Sequence, residues 1–415
     1  MTRPSRRTGL VFLVFAAIVA SLRLASLASG QSADAPILVL ISIDGWRWDY
    51  LEKFRPPALA RLASIGVRAE GLIPTFPSKT FPNHYTIVTG LYPSRHGIIS
   101  NTMSDPALPY RFTLADRWVQ QDTRWWGGEP IWVTTERQGQ IAATMFWPGS
   151  DAEIAGDRPT HYEPFDGSLA NHARVDRLLE WMRVPEPNRP TFLTLYFSDV
   201  DTAGHDYGPE TEELRRAALD VDGAIARLVS GVEAAGLANR TNFVLLSDHG
   251  MAGLSRNRTI VLDDYVDVSK VDFVDVTPVL GANPRSGSAE ALYRALKDKH
   301  PSLHVYRRED LPEAYRLRNH PRLPAIIGVA DEGWHVTTRA TLEREKNQVP
   351  GGTHGYDPQS RSMHGLFIAA GPQFRSGVVV PAFENVHVYE LLCHVLHLRP
   401  AINDGDPRVT AGFLR

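Results

Sequence analysis

Asp44 ends the apolar run Ile37 to Ile43, and Asp248-His249-Gly250 ends a second run, Phe243 to Ser247. A third run, Phe192 to Phe197, leads into Asp201 and His205, which stand four residues apart and share a face if that turn is helical. Later, Gly351-Gly352-Thr353-His354-Gly355 presents a histidine bracketed by glycines. The 415-residue chain has a single cysteine, Cys393, which excludes a disulfide framework and any multi-cysteine zinc or iron–sulfur site. A bound metal must therefore be held by carboxylates and imidazoles, a donor set that suits a borderline ion such as zinc. Singly, each of these residues argues little, because a strand-end aspartate more often caps a turn or a helix. Their combination in one order along the chain is the informative feature.

These residues need a scaffold that brings distant strand ends together. Ile37 to Ile43 is a β-rich run of the kind buried on both faces of a parallel sheet, and Pro57 to Ile65 reads as a helix ended by Gly66. The alternation recurs as strand Thr191 to Ser198, helix Glu210 to Ala235, strand Asn242 to Ser247, strand Gly365 to Ala370 and helix Val386 to Leu398. This predicts an α/β fold with a mostly parallel sheet and helices on both faces, whose ligands bind beyond the carboxyl ends of the strands. Between Met251 and Pro350 the texture changes to short strands (Leu303 to Arg307, Ala325 to Val329), a helix Ala289 to Lys299 and several prolines. The expected organisation is a catalytic domain over 35–250 and 351–415 with a small inserted α+β subdomain over 251–350.

Composition narrows the class of activity. Apolar residues make up 43% and charged residues 22%, ordinary for a globular chain, and a net charge of −3 offers no broad basic field for a nucleic-acid duplex. Arg3, Arg6 and Arg7 followed by the apolar stretch Gly9 to Leu22 and small residues to Gly30 have the order of a signal peptide over 1–30. A periplasmic or secreted protein follows, with no stable membrane association once the segment is removed.

The ordered set Asp44, Thr80 in Ser78-Lys79-Thr80-Phe81-Pro82-Asn83-His84, Asp201, His205, Asp248, His249 and His354 resembles the nucleotide pyrophosphatase/phosphodiesterase family of the alkaline-phosphatase superfamily, of bacterial type. Gly90-Leu91-Tyr92-Pro93 and Phe146-Trp147-Pro148-Gly149-Ser150-Asp151 also look like signatures of that family, and the resemblance runs from about Ile37 to Pro372. It implies an alkaline-phosphatase-like fold and two Zn2+ per chain, one held by Asp44, Thr80, Asp248 and His249, the other by Asp201, His205 and His354. It further implies hydrolysis of phosphodiester or pyrophosphate bonds of small nucleotide substrates through a covalent phospho-threonine at Thr80. A threonine hydroxyl is a weak nucleophile until a cation stabilises its alkoxide, and Thr80 stands just before an expected helix Asn83 to Thr89, whose free N–H groups favour an anion.

Asn101 matches the family asparagine that donates to a non-bridging phosphate oxygen, a neutral donor suited to a singly charged diester. Phe81 and Phe165 match the aromatic pair that sandwiches a base, although tyrosine is frequent at the second position. The loop Asp151 to Ser168, reduced in lysophospholipid-cleaving relatives, is present and favours a nucleotide over a lysophospholipid diester. A non-catalytic metal- or nucleotide-binding relative is the opposing expectation, and the full set of metal-type residues weighs against it. His84, His96 and His364 are read as structural or supporting groups.

Overall fold

A computed structural model describes residues 35–346 and 349–415, so the signal peptide expected over 1–30 lies outside the described residues. The chain lays down β1 (Ile37–Ile43), β2 (Val67–Ala69), β3 (Ala142–Met145), β4 (His161–Glu163), β5 (Phe192–Phe197) and β6 (Thr241–Leu246). It then builds a separate four-stranded sheet from β7 (Val271–Asp275), β8 (Val279–Pro284), β9 (Leu303–Arg307) and β10 (Ile326–Ala330), in the order β7-β8-β10-β9 with antiparallel pairing throughout. Two late strands, β11 (Phe367–Ala370) and β12 (Val378–Val380), complete the central sheet, whose order is β12-β2-β11-β6-β1-β5-β3-β4. Its pairings are parallel except those of β11, which runs against both β6 and β2.

The alternation of side chains along β1 explains the layers. Ile37, Val39, Ile41 and Ile43 point to one face, where they join Leu59 and Leu62 of α1 (Pro57–Ile65), Val175 and Leu178 of α3 (Asn171–Met182), and Leu214, Val221 and Ile225 of α5 (Glu212–Ala234). Leu38 and Leu40 point to the other face, onto Tyr85 and Val88 of α2 (Thr80–Thr89) and Leu391 and Leu392 of α7 (Val388–Val395). Every residue of β1, β5 and β6 is buried, as befits strands covered on both sides. A third apolar cluster fills the smaller sheet and its helix α6 (Ala289–Leu296), yet Leu311, Leu317, Leu323, Ile327 and Val329 belong to the main core. The two sheets are therefore joined by a continuous apolar seam.

Several boundaries differ from the sequence expectation by a few residues, three of them for local reasons. α2 begins at Thr80 rather than Asn83, because Pro82 falls in the first turn, where its missing N–H costs no hydrogen bond. The strand expected from Gly365 begins at Phe367, Gly365 forming isolated bridges to Arg47 and Leu72 instead. The helix expected to Lys299 stops at Leu296 as Lys297 turns extended.

Candidate active site

The carboxyl ends of β1, β5 and β6 lie side by side, and the chemistry-bearing residues collect there. Asp44 follows β1, its backbone N–H donating to the Phe197 carbonyl at 2.9 Å. Asp248 and His249 follow β6, and Ser247 pins that turn by accepting from the Trp46 N–H (3.0 Å) and donating to the His249 carbonyl (2.6 Å). Asp201 and His205 lie on α4 (Asp199–Tyr207), so the turn is helical and the two share a face. Gly45, at φ +69°, lets β1 pass beneath that helix: a side chain there would come within 2.8 Å of the Asp201 Cα. Thr80 is the first residue of α2, and its Oγ1 lies 3.4 Å from His249 Nε2.

These residues form interlocking groups whose ligand atoms lie within 4.8 Å of one another: Asp201 with His205 and His354, and Asp44 with Asp201 and His249. Asp44, Asp248 and His84 form a further such group. His249, His205 and His354 each present Nδ1 to a backbone carbonyl, of Gly250 at 2.9 Å, Gly352 at 3.0 Å and Ser78 at 2.8 Å respectively. A carbonyl only accepts, so Nδ1 carries the proton and Nε2 is the atom turned toward the carboxylates. Facing those nitrogens, Asp44 Oδ1, Asp201 Oδ1 and Asp248 Oδ2 are buried without a hydrogen-bond partner. The nearest imidazole Nε2 atoms stand 3.4 Å from Asp44 Oδ1, 3.5 and 3.7 Å from Asp201 Oδ1, and 2.9 Å from Asp248 Oδ2. Lone pairs facing lone pairs in a buried site repel unless a cation lies between them, so this donor set fits divalent metal ions such as zinc.

The protonation equilibria state the same demand. Burial raises the Asp44 carboxyl well above its usual range, with Asp248 and Asp201 adding to the effect, and burial pushes Asp201 up to about 7. Burial works to lower the His249 imidazolium, but Asp248, Asp44 and Asp201 push it up to about 10. His354 is held well below the imidazole range by burial and by the neighbouring His249 and His205. The cluster takes up positive charge either as protons or as metal ions, so the two compete.

Two supporting residues, Tyr196 and Ser42, escaped the sequence reading. Tyr196, within β5, donates its hydroxyl to Asp44 Oδ2 at 2.6 Å. His84, read there as a supporting group, has both ring nitrogens engaged: Nδ1 stands 2.9 Å from the Thr80 carbonyl and 3.3 Å from Asp248 Oδ2, and Nε2 stands 2.8 Å from Ser42 Oγ. Those contacts leave it holding the Thr80 turn against Asp248 rather than free to bind an ion. Ser42 was legible only as a polar break in an apolar strand. His96 and His364 lie elsewhere, His96 against Thr86 at 3.0 Å and His364 beside Arg361 at 3.2 Å.

Beside Thr80 opens a cleft of about 240 Å³ whose walls include Asp44, Asp201, Phe81, Trp147 and Phe165. Asn101 Oδ1 accepts the Phe81 N–H at 2.9 Å, which turns its amide NH2 away from that contact and leaves it free to donate. Phe81 is largely buried, packed edge-on to Phe112 at 5.4 Å, whereas Phe165 is 46% exposed and rests its edge on Phe146 and Tyr196. Phe146 adopts φ +63°, a conformation costly for an aromatic residue and common where function constrains the backbone. Among the described residues no helix is long and apolar enough to cross a membrane.

Residues 38–357 match the family model of type I phosphodiesterase/nucleotide pyrophosphatase. The chain belongs to that family. It is 36% identical over 395 residues to human ectonucleotide pyrophosphatase/phosphodiesterase family member 5, covering 95% of this chain and 81% of that protein. It is 38% identical over 399 residues to the venom phosphodiesterase of Macrovipera lebetinus, covering 91% of this chain but about half, 46%, of the venom protein. The structure of murine family member 5, an inactive threonine-to-alanine variant in complex with AMP, superposes with a TM-score of 0.86 at 35% identity, over 92% of this chain and all of that one. The α/β fold and the phosphodiesterase/nucleotide pyrophosphatase class of this enzyme follow from these likenesses.

Proposed function

We propose that this member of the family is a two-zinc hydrolase that cleaves phosphodiester or pyrophosphate bonds of small nucleotides through a covalent phospho-threonine at Thr80. The observation that carries the reading is the set of interlocking clusters in which orphaned buried carboxylate oxygens face imidazole Nε2 atoms, with the Thr80 hydroxyl 3.4 Å from one of those nitrogens, on His249. Asp44, Thr80, Asp248 and His249 would hold one ion, and Asp201, His205 and His354 the other. When bound, the ions stabilise the Thr80 alkoxide and the charge that gathers on the leaving oxygen.

The chain's own groups do the rest. Thr80, at the first position of α2, presents Oγ1 to phosphorus beside the N–H groups of the first turn, which favour the anionic phosphoryl group. The Asn101 amide donates to a non-bridging oxygen, its orientation fixed by the Phe81 N–H. As the Oγ1–P bond forms, the P–O bond to the leaving group breaks, and the hydroxyl proton passes to solvent. Water then adds to phosphorus from the vacated side, giving up a proton to Oγ1 as the Oγ1–P bond breaks, which returns threonine and a nucleoside monophosphate. Phe81 and Phe165, on the walls of the same cleft, are the surfaces for the base, and the AMP complex of the murine relative supports a nucleotide in this position. The family's secreted venom members support action outside the cytoplasm, in the periplasm or medium.

The direct test is an acid quench during turnover of a nucleotide labelled at the scissile phosphorus, followed by peptide mapping. Label on the peptide containing Thr80, with overall retention at a chiral phosphorus, is the expected result. Unlabelled protein together with inversion would mean direct attack by water.

A further inference from the structure

Lys79 precedes the nucleophile and Ser100 precedes Asn101, and neither has a part in the chemistry described above. Both reach the same atom. Asp275 Oδ2 accepts from Lys79 Nζ at 2.5 Å and from Ser100 Oγ at 2.7 Å, while Asp275 Oδ1 accepts from the backbone N–H of Val276 at 2.9 Å, which fixes its rotamer. Lys79 Nζ also donates to the Thr277 carbonyl at 3.3 Å. Asp275 is the last residue of β7 and thus lies on the smaller antiparallel sheet, whereas Thr80 and Asn101 lie on the catalytic side.

We infer that Asp275 is a positioning residue that fixes the spacing between Thr80 and Asn101 by closing a ring: Asp275 to Lys79, along the chain through Thr80 to Phe81, across the Phe81 N–H to Asn101, and back through Ser100 to Asp275. The inference rests on the reading of Thr80 as nucleophile and Asn101 as phosphate donor. Each link is a covalent bond or a hydrogen bond between named atoms. Lys79 is extended (φ −119°, ψ 158°) and its side chain 7% exposed, so its stem runs through packed surroundings and cannot swing freely. The neighbouring seam is apolar, with Phe76, Pro77 and Ile99 on one side and Val274, Val279 and Leu280 on the other. The smaller sheet is thereby more than an appendage: it supplies the one charged atom that ties the two phosphate-facing segments to each other.

In-line attack is sensitive to misplacement on the scale of an ångström, so loosening the ring should lower kcat on the order of 10- to 100-fold. The test compares Asp275→Asn, which keeps shape and removes charge, with Asp275→Ala, Asn101→Ala, Thr80→Ala and the double variant Asp275→Asn/Asn101→Ala. The expected result for Asp275→Asn is that fall in kcat with KM within about threefold, the metal content and melting temperature of the wild type, and no further loss in the double variant beyond that of Asn101→Ala. Losses that multiply in the double variant, or a kcat within about twofold of wild type in both Asp275 variants, would overturn the ring. Turnover by Thr80→Ala would overturn the nucleophile reading instead, so the two failures are separable.

Discussion

The strand-end clusters and the adjoining cleft are built by opposite means. Asp44, Asp248, His249 and His354 are all buried, each is oriented by at least one further contact, and each follows directly from a buried strand or a loop sewn to one. Phe165, by contrast, stands on a loop, 46% exposed, its ring meeting those of Phe146 and Tyr196 edge-on. In the proposed function, the groups that meet phosphorus are held at the ends of buried strands and on the helices α2 and α4 that follow them, whereas Phe165, one of the two proposed surfaces for a base, is held by a loop. Damage to the first region should slow every substrate, and damage to the second should slow only substrates that carry a base.

The sharpest break of that contrast comes from Thr80→Ala. It should lower kcat by several orders of magnitude on nucleotide and bis-nitrophenyl phosphate alike with the fold retained, and Thr80→Ser should keep part of the activity; steady-state kinetics beside circular dichroism decides it. Next in size, a chelator should abolish activity and elemental analysis of the active protein should approach two ions per chain. Because the ligands must be deprotonated, lowering the pH should weaken metal retention rather than strengthen it. His354→Ala should harm poor leaving groups more than nitrophenolate, which needs less charge stabilisation; equal losses would separate His354 from the leaving group.

A smaller effect sharpens the other side. Phe165→Ala should cost roughly 1 to 3 kcal/mol in kcat/KM for a nucleotide diester, about five- to 150-fold, with little change for bis-nitrophenyl phosphate. Equal losses on both would make Phe165 a structural residue. The smallest effect on turnover is expected behind α2, at His96. Burial holds its pKa down to about 3, and its Nδ1 accepts the Ile98 N–H at 3.1 Å. The unfolded chain takes up this proton near the ordinary imidazole value of 6.5, so the stabilisation is complete above that pH and declines as pH falls toward 3. His96→Gln should flatten the decline by up to about 1.4 kcal/mol per pH unit, read from denaturant midpoints between pH 7 and 4.5.

Much of this was legible in the chain because the signals are local. The run Ile37 to Ile43 names a buried strand by its apolar continuity, and the carboxylate directly after it names a strand-end site. The helix joining Asp201 to His205 follows from residues in its own turn. What stayed hidden acts across long separations: Tyr196 reaches Asp44 from 152 residues away, and Asp275 reaches Lys79 from 196. Neither has a neighbour in sequence that marks it. Phe81 shows the same limit from the other direction, since its aromatic character is plain but its packing against Phe112 and Trp126 depends on where those residues arrive.

The position of β1 in the sheet governs the order in which the site comes into being. Its partners on both sides, Phe192–Phe197 and Thr241–Leu246, are synthesised long after it, so the first strand waits unpaired until the chain has reached Phe192. Pairings of such long range make for slow folding and leave an apolar edge exposed meanwhile. Asp44, Thr80, Asp248 and His249 are all present soon after Thr241–Leu246 has emerged, whereas Asp201 and His205 await His354, beyond the smaller sheet. A nascent chain thus acquires the two proposed ligand sets in sequence, and a product truncated ahead of His354 should retain every donor of the first and lack the His354 imidazole of the second.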